Sequence, residues 1–179
     1  MKEPIRCGEG IPVLESERLR LRGHRPGDFE DSVTLWADER VTRYIGGKPF
    51  SREEVWARLL RYAGHWAWLG YGYWVVEEKS SGMYIGEVGY ANHRRDLQPQ
   101  LPDMPELGWV LATRAQGRGY ATEAVRTAMN WGEVRFGNQK TFCMIDPGNL
   151  PSIRVAQKCG FRETFRTTYK NEPTVVFLR

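Results

Sequence analysis

The alternation of apolar and polar residues predicts strands along most of the chain. Residues 18–22, Arg-Leu-Arg-Leu-Arg, alternate with a period of two, which is typical of a strand with one buried face. Continuous apolar runs, each bounded by turn residues, predict further strands. These strands are expected at residues 73–76, 84–90, 107–111 and 140–145, with a closing hairpin formed by 161–169 and 174–178.

Helical spacing and capping residues predict helices between these strands. Asp28 is expected to cap a short helix that carries Phe29, Val33 and Trp36. A capping box, with serine at 51 and glutamate three residues later, predicts a second helix over residues 55–68. Asn149 is expected to cap a later helix. Residues 93–105 contain three prolines and little periodicity, so we expect a long loop there.

Length and composition limit the class of protein. A chain of 179 residues with 41% hydrophobic and 27% charged residues predicts one globular domain over residues 1–179. The net charge of +4 slightly favours an anionic partner, although solubility alone would explain it. The basic residues are dispersed among acids, so we expect no nucleic-acid partner.

Cysteine usage and hydropathy bear on metals and on the compartment. Cys7, Cys143 and Cys159 are far apart and lack the spacing of a zinc site or a disulfide framework, so no metal is predicted. No apolar stretch approaches the length of about 18 residues that a membrane span needs, and the N-terminus lacks a signal-peptide pattern. We therefore expect a cytoplasmic protein with no membrane contact.

A strand, a glycine turn and a helix follow one another in the middle of the chain. The strand at 107–111 leads into Gly117-Arg118-Gly119, and apolar residues at helical spacing follow from 121 to 129. Free backbone N–H groups and the positive end of the helix dipole meet at such a turn, which therefore suits a phosphate group. The spacing of a P-loop is absent, and Thr122 stands where a dinucleotide fingerprint needs glycine.

Two sequence blocks resemble the GNAT superfamily of acyl-CoA N-acyltransferases. Residues 116–121, Gln-Gly-Arg-Gly-Tyr-Ala, are similar to its Gln/Arg-x-x-Gly-x-Gly/Ala signature, and residues 149–161 resemble its Asn-x-x-Ser…Lys-x-Gly-Phe block. Residues 19–22 and Ile85-Gly86 look like the branch of Rim-type ribosomal-protein N-terminal acetyltransferases. The resemblance implies an α+β, three-layer fold. Its mixed, mostly antiparallel sheet of six to seven strands would be flanked by helices on both faces and splayed between the fourth and fifth strands.

The resemblance also implies acetyl-CoA as co-substrate and assigns residues to it. The strand Trp109-Val110-Leu111 would hydrogen-bond the pantetheine arm and the thioester carbonyl, and Asn149 would contact the pantetheine. The remaining cofactor-binding candidates surround the pyrophosphate, with the Thr122 hydroxyl as an additional donor. They are Gln116, Gly117, Arg118, Gly119, Tyr120, Ala121 and Thr122.

Acetyl transfer to an amine needs a neutral amine and a proton for the leaving thiolate. Glu87 is the first candidate base, because burial in the middle of a strand would raise its pKa toward a useful value. Glu106, at the entrance of the signature strand, is the second, and a water chain is the alternative to both. Ser152 occupies the position of a general acid in the family, although a serine there could also bond a free backbone N–H.

The leading hypothesis is an acetyl-CoA-dependent N-acetyltransferase in which the amine attacks directly in a ternary complex. Its acceptor would be a protein N-terminal α-amine or a small-molecule amine, and the enzyme would be a monomer or a homodimer. A non-catalytic acyl-CoA sensor with the same fold is the alternative, because the glycine motif reports binding alone. A nucleic-acid binder ranks third.

Overall fold

The computed structural model describes residues 10–179, so Cys7 lies outside the described residues. The strands are β1 (Leu14–Glu15), β2 (Leu19–Arg22), β3 (Tyr73–Glu78), β4 (Tyr84–Ala91), β5 (Glu106–Leu111), β6 (Phe142–Ile145), β7 (Arg162–Tyr169) and β8 (Glu172–Leu178). The helices are α1 (Phe29–Ala37), α2 (Glu39–Thr42), α3 (Arg52–Leu69), α4 (Tyr120–Phe136) and α5 (Leu150–Lys158). Every strand and helix predicted from the pattern is present.

The strands form one sheet in the order β1-β2-β3-β4-β5-β6-β8-β7. Neighbouring strands are antiparallel except β5 and β6, which are parallel and pair through Glu106 and Phe142 alone. The two strands therefore diverge beyond this pair. The predicted α+β architecture with a splayed, mostly antiparallel sheet is confirmed. The short strand β1 raises the strand number to eight and moves the splay to between the fifth and sixth strands.

Helices cover both faces of the sheet, as predicted. On one face, Leu21, Trp74 and Val76 belong to a core that also contains Ala124 of α4 and Ala156 of α5. On the other face, Val75 and Val110 pack with Trp36 of α1 and Val55 of α3. Successive strand residues point to opposite faces, so β3, β4 and β5 each contribute to both cores. Among residues 10–179, no helix is long and apolar enough to cross a membrane.

Two of the three predicted helix caps are confirmed. Ser51 Oγ accepts the N–H of Glu54, and Glu54 accepts the N–H of Ser51 in return. Asn149 Oδ1 accepts the N–H of Ser152 at the start of α5. The prediction for Asp28 is wrong, since its carboxylate does not cap α1. That carboxylate instead accepts two hydrogen bonds from Arg22, at 2.7 and 2.8 Å, in a buried ion pair.

Candidate active site

The loop between β5 and α4 presents a row of unused backbone donors. Gly117 and Gly119 have φ angles of +76° and +82°, which L side chains rarely adopt, so glycine permits this path of the chain. Within residues 10–179, the backbone N–H groups of residues 117–122 donate to no protein acceptor. The first turn of a 17-residue helix adds its positive dipole end to these donors. The arrangement suits a phosphate or pyrophosphate.

The polar side chains of this loop are largely engaged with the protein. Glu78 accepts a hydrogen bond from the Tyr120 hydroxyl, and its carboxylate lies 3.1 Å from the Arg118 guanidinium. The Gln116 amide donates to the carbonyl of Leu111 at 3.1 Å. Gln116 and Tyr120 therefore stabilise the shape of the loop, while Arg118, 54% exposed, keeps part of its charge directed at solvent.

The edge of β5 next to the loop is open toward the splay. The N–H of Ala112 donates to the carbonyl of Ile85 on β4 at 2.9 Å. Backbone groups alternate in direction along a strand, so those of Val110 also point to β4, while those of Trp109 and Leu111 point into the opening. The three residues predicted to bind the pantetheine therefore differ. Trp109 presents its N–H and carbonyl to the opening, whereas Leu111 presents its N–H, because its carbonyl accepts the Gln116 amide.

The start of α5 lies at the same end of the sheet as the glycine loop. Because β5 and β6 are parallel, the segments that follow them leave the sheet at the same edge. Asn149 uses its side-chain oxygen as a helix cap, which leaves its amide N–H groups for a ligand. The Ser152 side chain is half-buried, and its hydroxyl bonds to no other residue of the described chain. That hydroxyl is therefore available as a proton donor.

Glu87 lies at the centre of a sealed hydrogen-bond network beneath α1 and α3. Its carboxylate is fully buried and accepts hydrogen bonds from the Tyr84 hydroxyl at 2.6 Å, the Tyr62 hydroxyl at 2.8 Å and the Trp36 indole at 3.2 Å. His24 Nε2 lies 3.7 Å from the same carboxylate. Donors thus surround both oxygens, and neither contacts solvent.

The pKa of Glu87 is opposite to the expected one. Burial alone raises the pKa, but the hydrogen bond and charge of His24, the Tyr84 hydroxyl and the Arg58 charge outweigh burial and lower it to about 2. The prediction that burial makes this carboxyl more basic is therefore wrong. The sequence shows the burial, but the donors that reverse its effect come from distant segments of the chain.

Glu106 is held by an arginine from the loop before β5. Arg95 donates to both carboxylate oxygens, at 2.5 and 2.7 Å, and Glu106 is 6% exposed. A bidentate ion pair of this kind stabilises the ionised carboxylate and fixes the arginine in place. The structure thus brings Glu106 to the α3 side of the sheet but gives each of its oxygens a charged partner.

Comparisons with known proteins identify the family. A family model described as an acetyltransferase (GNAT) domain matches residues 18–162. The chain belongs to the GNAT acetyltransferase family. It is 37% identical over 175 residues to the uncharacterized protein YkkB of Bacillus subtilis (strain 168). The matched region covers 93% of this chain and 94% of that protein. The predicted enzyme class, an N-acetyltransferase, is confirmed at the level of the family.

Solved structures agree with this assignment. The acetyltransferase from Agrobacterium tumefaciens str. C58 is 26% identical and has a TM-score of 0.82 over 95% of each chain. A spermidine N-acetyltransferase from Vibrio cholerae in complex with CoA and spermine shares the fold at 18% identity, with a TM-score of 0.72 over 92% of this chain and 96% of that one. Among residues 10–179 of the GNAT protein, no group of three His, Cys, Asp or Glu side chains could hold a metal ion.

Sequence reasoning missed one residue that connects these parts. The Tyr73 ring stacks on Tyr62 at 4.5 Å, and its hydroxyl lies over Gly108 in the middle of β5, where a Cβ atom would be 2.0 Å from it. Tyr73 therefore reaches across β4 to the strand that opens into the splay. Glycine at 108 is the sequence signal that could have located it, because a missing side chain at mid-strand marks a close approach.

Proposed function

We propose that this GNAT protein transfers an acetyl group from acetyl-CoA to a primary amine, by direct attack within a ternary complex. The observation that carries the proposal is the row of six unused N–H donors at residues 117–122, next to the open edge of β5. A polyanionic co-substrate with a long polar arm matches a phosphate site that continues into an exposed strand edge. The resemblance of residues 19–22 to the Rim-type branch stays a prediction.

The co-substrate would extend from the loop along the splay. Backbone N–H groups of residues 117–122 hold its phosphates, and Thr122 contributes a hydroxyl at the start of α4. Backbone groups of Trp109 and Leu111 hydrogen-bond its amide arm in the manner of an added strand. The Asn149 amide contacts this arm from the opposite side of the opening.

Ser152 supports the chemistry as the proton donor. Bound acetyl-CoA supplies the thioester carbonyl, the amine nitrogen forms the new C–N bond, and the C–S bond breaks. The Ser152 hydroxyl gives its proton to the leaving sulfur and is reprotonated by solvent. Water takes the proton lost by the amine, because Glu87 is sealed from solvent and Glu106 is chelated by Arg95.

Binding of the co-substrate is tested by thermal unfolding with CoA. A ligand at 100 times its dissociation constant stabilises a protein by about 2.7 kcal/mol, so the unfolding temperature should rise by several degrees. Gly117→Ala should reduce this rise, since alanine disfavours the positive φ of the loop. Gly47→Ala is the matched control, because Gly47 also has a positive φ, +70°, and equal free space outside the loop. An absence of any rise for the unmodified protein would refute the proposal.

Turnover is tested with Ser152→Ala on a panel of primary amines. The kcat should fall about 10²- to 10⁴-fold, as expected when general-acid help is lost, while the CoA-induced rise in unfolding temperature is retained. The variant keeps the backbone N–H that Asn149 caps, so the fold of α5 is preserved. An unchanged kcat would remove Ser152 from the mechanism. CoA binding without turnover of any amine would favour a non-catalytic acyl-CoA sensor.

A further inference from the structure

A cluster of basic side chains lies on the α3 side of the sheet. Arg58, Arg61 and His65 are spaced three and four residues apart on α3, which places them along one face of the helix. His93 and Arg95 approach from the loop after β4, and the imidazole rings of His65 and His93 are 5.6 Å apart. We call these five residues the basic cluster.

The positive charges of the cluster act on one another. Burial together with the charges of Arg95, Arg61, His65 and Arg58 lowers the pKa of His93 to about 3. These groups face the same small region, as the ring contact of the two histidines also shows. A mobile anion would be attracted there, and a cation would be repelled.

Local carboxylates neutralise only part of the cluster. Glu106 forms an ion pair with Arg95, and the charge of Glu87 acts on Arg58 from within its own network of hydroxyl and indole donors. Arg61 has no carboxylate within 4.0 Å in the described part of the chain. Arg58 stacks over the Trp36 ring at 3.9 Å.

Two polar atoms in the cluster are left over. Arg58 Nε and His65 Nε2 are buried and have no hydrogen-bond partner among residues 10–179. His65 Nδ1 donates to the Arg61 carbonyl at 2.8 Å, so Nε2 of the neutral imidazole is an acceptor, whereas Arg58 Nε is a donor. Buried polar atoms normally have partners, so a ligand that accepts a hydrogen bond from Arg58 would complete this site.

The cluster adjoins β5 at the end away from the glycine loop. Arg95 binds Glu106, the first residue of β5, whereas the loop begins after Leu111, the last. Tyr73 connects the cluster to the middle of the strand, because it stacks on Tyr62, a neighbour of Arg58, and reaches Gly108. Six residues of extended strand span roughly 16 Å, so the cluster is separate from the proposed phosphate site.

We propose that the amine acceptor of this protein carries an oxyanion group, such as a carboxylate, and that the basic cluster binds this group while the amine lies against β5. The inference rests on the proposed acetyl transfer and names its substrate class. A positive field around the acceptor also favours the neutral form of an amine over its ammonium form, which assists attack. Polyamines, which carry several positive charges, are disfavoured at such a site.

Matched pairs of acceptors test this inference with the full chain and acetyl-CoA. The two members of each pair carry a primary amine and differ in one group: amino acids are compared with their amides, and phosphoethanolamine is compared with ethanolamine. Spermine is added as a polycationic acceptor. We expect kcat/KM to be at least tenfold higher for the anionic member of a pair. The amino-acid and phosphate pairs separate a carboxylate ligand from a phosphate ligand.

Two arginine variants connect the preference to the cluster. Arg61 is exposed and has no ion pair, so Arg61→Gln should leave the fold intact and reduce the ratio between anionic and neutral members about tenfold. Arg162→Gln, an exposed arginine on β7, is the control and should leave the ratio unchanged. Turnover that prefers neutral amines or spermine, or a ratio that Arg61→Gln leaves unchanged, would overturn the inference while leaving acetyl transfer in place. A lack of turnover with every amine would overturn both.

Discussion

Replacing Glu87 with glutamine should destabilise the fold and remove part of its sensitivity to acid. The pKa of the carboxyl is about 2 in the folded protein against its ordinary value of 4.5. A difference of about 2.5 in pKa corresponds to about 3 kcal/mol of stabilisation by the ionised form at neutral pH. Glutamine has a similar shape but lacks the charge, and its amide group faces donors from Trp36, Tyr62 and Tyr84.

The sign of the pH dependence follows from the lowered pKa. The unfolded chain binds a proton at Glu87 more readily than the folded chain does, so the stabilisation is fully present above about pH 5. It declines as the pH falls from the unfolded value of 4.5 toward the folded value of about 2. Roughly 2 of the 3 kcal/mol should be lost by pH 3.

Urea unfolding at pH 7, 5, 4 and 3 measures this effect directly. The free energy of unfolding of Glu87→Gln should lie about 3 kcal/mol below that of the unmodified protein at pH 7, and the gap should narrow to about 1 kcal/mol at pH 3. Other carboxylates with lowered pKa values, such as Asp28, titrate in both proteins and cancel in the difference. A gap that stays constant from pH 7 to pH 3 would refute the reasoning, because it would show that Glu87 has the same pKa in the folded and the unfolded protein.

Two further substitutions test other parts of the structure. Gly108→Ala should displace the Tyr73 hydroxyl, because the new Cβ would lie 2.0 Å from it. We expect kcat/KM for amines to fall at least tenfold while CoA still raises the unfolding temperature; an unchanged kcat/KM would show that Tyr73 has no part in acceptor binding. Ser51→Ala removes one hydrogen bond of the capping box at the start of α3, so the free energy of unfolding should fall by about 1 kcal/mol, the usual cost of removing a cap, while kcat stays unchanged. A fall of less than about 0.3 kcal/mol would indicate that this cap does not stabilise the fold.

Local patterns sufficed to predict the fold because each element carries its own signal. The alternation at residues 18–22, the capping box at Ser51 and the cap at Asn149 act within a few residues of where they occur. Asp28 is the exception, since a buried arginine on β2 binds its carboxylate and removes it from the cap position. A cap is predictable from sequence only when no distant partner competes for its oxygen.

The electrostatics of the candidate site depend on contacts between distant segments. Glu87 is bonded by residues from α1, α3 and β4 itself, and their summed effect reverses the sign of the pKa shift that burial alone predicts. The basic cluster likewise joins α3 to the loop after β4, which lies about 30 residues further along the chain. Neither arrangement leaves a trace in residue spacing, whereas the glycine loop does, because its function resides in consecutive backbone groups.

The distribution of charge along β5 explains how one strand could serve two ligands. Beyond its last residue, Leu111, backbone N–H groups and a helix dipole form a site for phosphates that depends on main-chain geometry. Beside its first residue, Glu106, arginine and histidine side chains form a second positive region. Two anionic ligands that approach from opposite ends would meet near the middle of the strand, where the Tyr73 hydroxyl lies over Gly108. The net charge of +4 by itself locates neither of these two positive regions, because both depend on where the groups are placed in the fold.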